Sequence, residues 1–238
     1  MLRLPSVTLV AADNVAKPLT TLAIERCMEL AEFAEVIWFT DNGFNEAPKG
    51  VKPIEVSIGG LADVNRLYAK IAAAYVATSH YLVVQWDSWI VDPTAWTDDF
   101  LRFDYIGAPW WHKDGYNVGN GGFSLRSTKM AGIIRDFPAI NFDYPEDEEI
   151  CRRWRPDLER RGVMFAPESL AYSFSKERTG WQRSGNSFGF HGIFNWPKFL
   201  TREEIEARFA QSSYARSRPE YREVLHQLSD GHAVQFRQ

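Results

Sequence analysis

The chain predicts an α/β fold: a mainly parallel sheet flanked by helices, with a small antiparallel part and a helical C-terminal extension. Three observations predict it. Short apolar runs alternate with helical periodicity through the first third of the sequence, the pattern of strands joined by crossover helices. Three of those runs end in acids at one sheet edge, Asp13, Asp41 and Asp87. Residues 93–125 then break the alternation with Trp, Asp, Gly and Pro.

SVTLVAA, residues 6–12, is a first strand ending at Asp13-Asn14. Leu19, Leu22, Ala23, Cys27, Leu30, Ala31 and Ala34 recur at helical spacing, so Cys27 reads as a small core residue. EVIWFTDN is a second strand and KPIEVSI a third. Leu61 to Thr78 predicts a helix with Val64, Leu67, Tyr68, Ile71 and Tyr75 on one face. HYLVVQWDSWIV predicts a buried strand that carries charge at its end. FDYIGAPWW and GYNVGNGGF read as irregular structure and short antiparallel strands beside the parallel sheet. Glu148 to Trp154 is helical, with Cys151 on its apolar face, and Pro156 restarts a helix that Gly162 closes. VMFAPESLAYSFSKE supplies a further strand and helical turn, and SGNSFGFHG, residues 184–192, is loop and strand. Thr201-Arg202-Glu203-Glu204 has the form of a capping box. Beyond it, Tyr221, Val224, Leu225 and Leu228 share one helical face, expected to dock on the body, with a partner contact as the alternative. The organisation expected is a domain over residues 1–198 with a helical extension over 199–238 packed on it.

With 238 residues, 45% of them hydrophobic, the chain can bury one substantial core. A net charge of −4 without a basic stripe argues against nucleic-acid binding. Two cysteines make no disulfide framework and suit a reducing compartment. No apolar run reaches the roughly 18–20 residues of a membrane span, and the start lacks a secretory leader, so a cytoplasmic protein is expected. Nine tryptophans offer flat faces that fill a core or stack on sugar rings.

Four features carry chemistry. In Gln85-Trp86-Asp87-Ser88, a carboxylate ends a buried strand, where it is costly without a positive partner. A divalent cation on a diphosphate would be one partner; a helix cap or structural hydrogen bond is the alternative. Asn117 to Ser127, NVGNGGFSLRS, places three glycines within four residues, as a hairpin turn or a ligand wall. Pro145-Glu146-Asp147-Glu148-Glu149 puts acids at a helix start, where the macrodipole favours them or where one serves as a general base. Phe188-Gly189-Phe190-His191-Gly192 leaves an imidazole between glycines, structural or metal-binding.

The order of these features resembles the GT-A glycosyltransferase fold, with its DxD motif, G-loop, xED motif and C-terminal His. More narrowly, QWDSWIV, DYIGAPWW, VGNGGFSLRS, PEDEEI, FAPESLAYSFSKE and FGFHG resemble a bacterial family of largely uncharacterised glycosyltransferase-like domains. The resemblance covers residues 6–195 and is most specific over 81–192. It implies a GT-A-like (Rossmann-like) sheet and sugar transfer from a nucleotide diphosphate sugar, a UDP-sugar foremost, to a hydroxyl of a glycan or lipid-linked glycan. This is a role in polysaccharide biosynthesis, in the cytoplasm or at the inner face of the membrane. It implies Mn²⁺ or Mg²⁺ held by Asp87 and His191, and a general base at Asp147, with Glu146 and Glu148 as the neighbouring candidates, in an inverting reaction. Donor contacts are implied for Ala11, Ala12, Asp13, Asp41, Gln85, Trp86, Asp87, Ser88, Gly121 and Gly122, the two glycines clearing room for a sugar. Trp89, Trp110 and Trp111 are the acceptor-stacking candidates. Gln85 departs from the pattern, standing where the first carboxylate of DxD usually lies. That departure supports an alternative, a non-catalytic nucleotide-sugar or glycan-binding protein. A nucleotidyltransferase ranks lower, because VAADNVAKP has one lysine and no glycine where a phosphate loop is needed.

Overall fold

The computed structural model describes residues 1–41, 47–140, 144–178 and 185–229. β1 (Leu2–Ala12), α1 (Lys17–Leu30), β2 (Ala31–Thr40) and β3 (Val51–Glu55) come first. α2 (Leu61–Arg66) runs on through a π-helical turn over Leu67–Ile71 and a 3₁₀ turn over Ala72–Ala74. β4 (His80–Val84), β5 (Ser88–Ile90), β6 (Tyr105–Ile106), β7 (Phe123–Ser127) and α3 (Thr128–Arg135) follow. α4 (Glu146–Glu148) passes into a second π-helical turn, Glu149–Arg153, before α5 (Arg155–Arg160), α6 (Glu168–Phe174), β8 (Ser175–Lys176) and β9 (Gly189–His191). A 3₁₀ segment over Ile193–Lys198 then leads to α7 (Arg202–Gln211), α8 (Ser213–Ser217) and α9 (Glu220–Ser229).

The main sheet has the order β3–β2–β1–β4–β7–β6. β3, β2, β1 and β4 are mutually parallel, and β7 enters antiparallel between β4 and β6. β4 is buried along its whole length, as a central strand covered on both faces must be. The carboxyl ends of β1, β2 and β4 therefore meet the amino end of β7 at one edge, where ligands sit in such sheets. A second, small sheet, β5–β9–β8, lies beside it. This is the mixed architecture the sequence predicts, including the antiparallel part.

Several boundaries differ. The helix expected to reach Ala34 stops at Leu30, because Leu2 of β1 pairs with Ala31 and draws that residue into the sheet. The helix from Leu61 ends at Ala74, not Thr78. The strand expected over HYLVVQWDSWIV is two strands in two sheets. Gln85–Asp87 form the turn between them, closed by Ser88 N donating to Gln85 O at 3.1 Å. α3 and α8 have no counterpart among the expected elements. Cys27 and Cys151 are buried free thiols, as expected. Asn42, Ser184 and residues 230–238 of the expected elements lie outside the described residues.

The capping box at Thr201 forms in both directions. α9 buries Val224 and Leu228 and packs on Ile193–Lys198, while Leu225 stays exposed, so the docking face is narrower than expected. The aromatic chain Trp196–Phe209–Tyr221, with ring centroids 5.4 and 4.6 Å apart, ties α7 and α9 to the Ile193–Lys198 segment. No helix among the described residues is long and apolar enough to cross a membrane.

Candidate functional site

The antiparallel register Ser88↔His191 places His191 beside Asp87, and Gly192 N donates to the Asp87 carbonyl at 3.1 Å. His191 Nε2 lies 3.4 Å from Asp87 Oδ1. On the other side of the ring, Nδ1 lies 3.5 Å from Glu177 Oε1 and 3.0 Å from Asn120 Nδ2. The parallel pair Lys176↔Phe190 brings Glu177 there. Burial alone would lower the imidazole pKa, but Asp87 and Glu177 on its two edges outweigh it and hold the value well above 6.5. Asp87 Oδ1 is buried and, among the described residues, has no hydrogen-bond partner, its charged neighbour being the His191 ring at 3.4 Å. A buried carboxylate oxygen facing an imidazole nitrogen, with a second carboxylate behind the ring, is a donor set that fits a divalent cation once the imidazole gives up its proton. Among the described residues no three His, Cys, Asp or Glu side chains converge on one point, so substrate oxygens would have to complete the shell.

The glycine stretch is built against this pair and against the acids. A Cβ on Gly122 would lie 2.2 Å from the His191 ring, and one on Gly121 would lie 2.2 Å from Glu146 Oε1. A Cβ on Gly119 would lie 2.2 Å from the Trp110 ring. The space beside each glycine is filled by this chain's own groups, where the resemblance implied room for a sugar. Asn120 precedes the pair at φ 64°, the left-handed region that Asn tolerates better than most residues. Its Oδ1 accepts from Gly122 N at 3.1 Å and Phe123 N at 3.4 Å, which fixes Nδ2 toward His191. Ser88 Oγ donates to Gly122 O at 2.7 Å, and Gln85 N donates to the same carbonyl at 3.1 Å. The β4–β5 turn and the glycine stretch are thus one hydrogen-bonded unit.

The three acids of α4 have three different environments. Glu146 is buried and accepts from Arg126 Nη2 at 2.6 Å, so its carboxylate is committed to an internal pair and is no candidate base. Glu148 is exposed. Asp147 Oδ2 accepts from Gly121 N at 2.8 Å and Oδ1 from Glu148 N at 2.9 Å. Burial, and then the charge of Glu146, push the Asp147 carboxyl up to about 7. Consecutive glycines thus carry the acid helix on one flank and His191 on the other.

A cavity of about 410 Å³ opens at Asp87 and His191, lined also by Gln85, Trp86, Trp111, Glu177, Arg178, Tyr214 and Arg218. Asp147 does not line it. The remaining expected donor residues are differently employed. Ala11 and Ala12 are buried in the core, and Ala12 N donates to Tyr68 Oη at 2.8 Å. Asp13 is buried, with its carboxylate accepting from Val15 N at 3.2 Å and Ala16 N at 3.0 Å; burial raises its pKa. Asp41 pairs with Lys17, which lowers its pKa. Of the acceptor candidates, only Trp111 is accessible, 65% exposed at the cavity mouth. Trp89 and Trp110 are core residues: Trp89 packs edge-on against Phe190 at 4.6 Å, and Trp110 fills the space that Gly119 leaves. Residues of the region that the sequence reading does not single out include Glu177, Asn120, Arg126, Arg178, Tyr214 and Arg218. Glu177 closes the FAPESLAYSFSKE segment and Asn120 sits inside the glycine run, so both were within recognisable motifs.

Residues 55–191 match the model of the family described as "Protein of unknown function (DUF5672)". No curated protein matches the chain in sequence. Among solved structures, the chain is similar to a glycosyltransferase involved in the glycosylation of the major capsid of PBCV-1. That likeness has 13% identity, a TM-score of 0.51, and coverage of 87% of this chain and 99% of the other. It is also similar to the glycosyltransferase GlyE of Streptococcus pneumoniae TIGR4, with 11% identity, a TM-score of 0.50, and coverage of 97% of this chain and 65% of the other. These likenesses establish the fold as that of GT-A glycosyltransferases.

Proposed function

The chain belongs to the DUF5672 family of proteins of unknown function, and from that premise we propose that it transfers a sugar from a nucleoside diphosphate sugar to an acceptor hydroxyl. The observation that carries this reading is Asp87 Oδ1, buried, without a hydrogen-bond partner among the described residues and 3.4 Å from His191 Nε2, at a cavity on the ligand edge of the sheet.

Asp87 and His191 would hold Mn²⁺ or Mg²⁺, with donor phosphate oxygens and water in the remaining positions. A cation bound there supplies neutralisation of the charge that grows on the leaving diphosphate. The chain's own groups do the rest. Arg178 and Arg218 in the cavity wall take up anionic phosphate. Trp86 and Tyr214, 5.8 Å apart and edge-on, offer faces to a base or sugar, and Trp111 stacks on the acceptor at the mouth. Asp147 accepts the proton of the attacking hydroxyl. A carboxyl near 7 is matched to that task at neutral pH, and its Gly121 N–H bond fixes its orientation. With His191 on one flank of the glycines and Asp147 on the other, attack opposite the leaving group gives inversion. UDP-sugars are the proposed donors and a glycan or lipid-linked glycan the acceptor, in the cytoplasm or at the inner face of the membrane.

Asp147 does not line the cavity, and this favours one second reading, a nucleotide-sugar receptor without turnover. Calorimetry of nucleoside diphosphates with and without Mn²⁺ tests the shared premise, and donor hydrolysis or transfer separates the readings. Tightening by Mn²⁺ together with slow donor hydrolysis is the result expected of the enzyme. Tight binding without turnover on a panel of nucleotide sugars and glycan acceptors leaves the receptor. No nucleoside diphosphate binding under either condition sinks both.

A further inference from the structure

Arg126 lies on β7 and is fully buried. Its Nε donates to Ser124 Oγ at 2.9 Å. Its Nη2 donates twice, to Glu146 Oε1 at 2.6 Å and to the Gly121 carbonyl at 3.2 Å. Ser124 Oγ in turn donates to that same carbonyl at 3.0 Å. Tyr68 and Tyr105 flank the guanidinium, with ring centroids 5.8 and 5.3 Å from Cζ. The contacts close a circuit. Arg126 holds the Gly121 C=O, the Gly121 N–H holds Asp147, Asp147 follows Glu146 in the chain, and Glu146 returns to Arg126.

A buried ion pair of this kind is a weak stabiliser, because desolvation of two charges offsets their attraction. Arg126 Nη1 also has no hydrogen-bond partner among the described residues, a further cost that a group selected only for stability would not carry. The other end of the circuit is the carboxylate read as the base. We propose that Arg126 is a positioning residue of the site: by gripping the Gly121 carbonyl and the Glu146 carboxylate together, it sets the amide that orients Asp147, without touching substrate. The inference rests on the reading of Asp147 as the base. Besides Gly121, the groups that face Asp147 are Glu146 on its own helix, Arg126 from β7, Tyr105 from β6 and Cys151 from the following π-helical turn. Cys151, its thiol pushed up by burial, and Tyr105, also raised by burial, stay neutral at the pH of interest.

The test is the Gly121 amide proton, followed by NMR across pH 5–9 in the native chain, Arg126→Lys, Arg126→Met and Ser124→Ala, with Asp147→Asn to assign the titration. In the native chain the amide shift should follow a single titration near 7 that Asp147→Asn abolishes. Lysine keeps the charge but cannot present two nitrogens to three acceptors. In Arg126→Lys the amplitude at Gly121 should therefore fall at least twofold, while nucleoside diphosphate affinity stays within about twofold of native. Ser124→Ala, which removes one anchor, should give a smaller loss of the same kind. A Gly121 amide that keeps its full response in folded Arg126→Lys overturns the proposal, whether or not Arg126→Met folds. A native chain that binds no nucleoside diphosphate yet shows the Gly121 titration and its loss leaves the circuit standing and removes the transferase reading, so the two failures are distinct.

Discussion

Replacing Gly122 by alanine adds one carbon, and the structure fixes what that carbon meets. It would lie 2.2 Å from the His191 ring, where ordinary contact begins at 3.4 Å, so the imidazole must retreat by at least 1.2 Å or the strand must shift. Retreat is obstructed. Nδ1 faces Glu177 at 3.5 Å and Asn120 Nδ2 at 3.0 Å, and the backbone at residue 191 is paired to Ser88. Overpacking of a filled site costs about 1–3 kcal/mol. On the proposed reading of His191 as a metal ligand, its displacement from its supporting partners costs about 10–100-fold in metal affinity. The expected result for Gly122→Ala is a folded protein with a lower melting temperature. Its nucleoside diphosphate affinity should lose most of the Mn²⁺-dependent gain and keep its metal-free value. Gly132→Ala is the control: beyond the backbone of its own helix, no described atom lies within 4 Å of its added carbon, and alanine in α3 should stabilise by about 0.5–1 kcal/mol. Calorimetry with and without Mn²⁺, beside a melting curve, reads both. A Gly122→Ala variant with the full native Mn²⁺ gain would refute the coupling of the glycine stretch to His191.

Gly121→Ala acts on the other flank, since its carbon would meet Glu146 Oε1 at 2.2 Å; turnover should fall with the Mn²⁺ gain intact, as steady-state kinetics beside calorimetry would show. Asp147→Asn should reduce turnover by about 10²–10⁴-fold with donor affinity nearly unchanged, and native turnover should rise with pH through a midpoint near 7. The sign for stability is opposite. Because the folded carboxyl lies above 3.8, its contribution is fully present below 3.8 and is lost as pH rises through about 7. Asp147→Asn should therefore flatten that decline in a pH series of melting curves. Trp111→Ala, at a 65% exposed side chain, should weaken acceptor binding, read as a rise in acceptor KM, and change stability by no more than about 0.5 kcal/mol.

The strand–helix alternation, the acid at the β4 edge, the glycine run, the acid helix and His191 are all legible in the sequence. Each is a local run of distinctive composition. The misreadings have a common physical origin in pairing between distant segments. Leu22 through Ala34 keeps a helical period, yet Leu2 pairs with Ala31 and the ladder overrides the period. QWDSWIV is apolar enough to extend β4, but Gln85 N and Ser88 Oγ bond to Gly122 O and turn the chain into a second sheet. That turn decides the fate of the tryptophans: Trp86 reaches the cavity while Trp89 packs on Phe190 in the core. Glu177 and His191 meet through strands of two and three residues, too short to leave a periodic signature. Tyr214 and Arg218 arrive from the tail, where helical spacing says only that the segment docks somewhere.

The glycine run is neither of the two things its composition first offers. A plain hairpin turn would need glycine for its backbone angles, yet the residue here at positive φ is Asn120, and neither Gly121 nor Gly122 is at positive φ. A ligand wall would leave the missing side chains' space open, yet Glu146 and His191 occupy it. What requires glycine is convergence. Two side chains from distant parts of the chain must approach consecutive residues of one strand end, and no Cβ fits on either side. The Asp147 carboxylate is tied to the amide of the first glycine, and Ser88 and Gln85 to the carbonyl of the second. The backbone between those bonds is two residues long, which holds the two flanks at a fixed spacing. On the proposed reading, this fixed spacing of Asp147 and Asp87 is the preorganisation that transfer between two bound substrates requires.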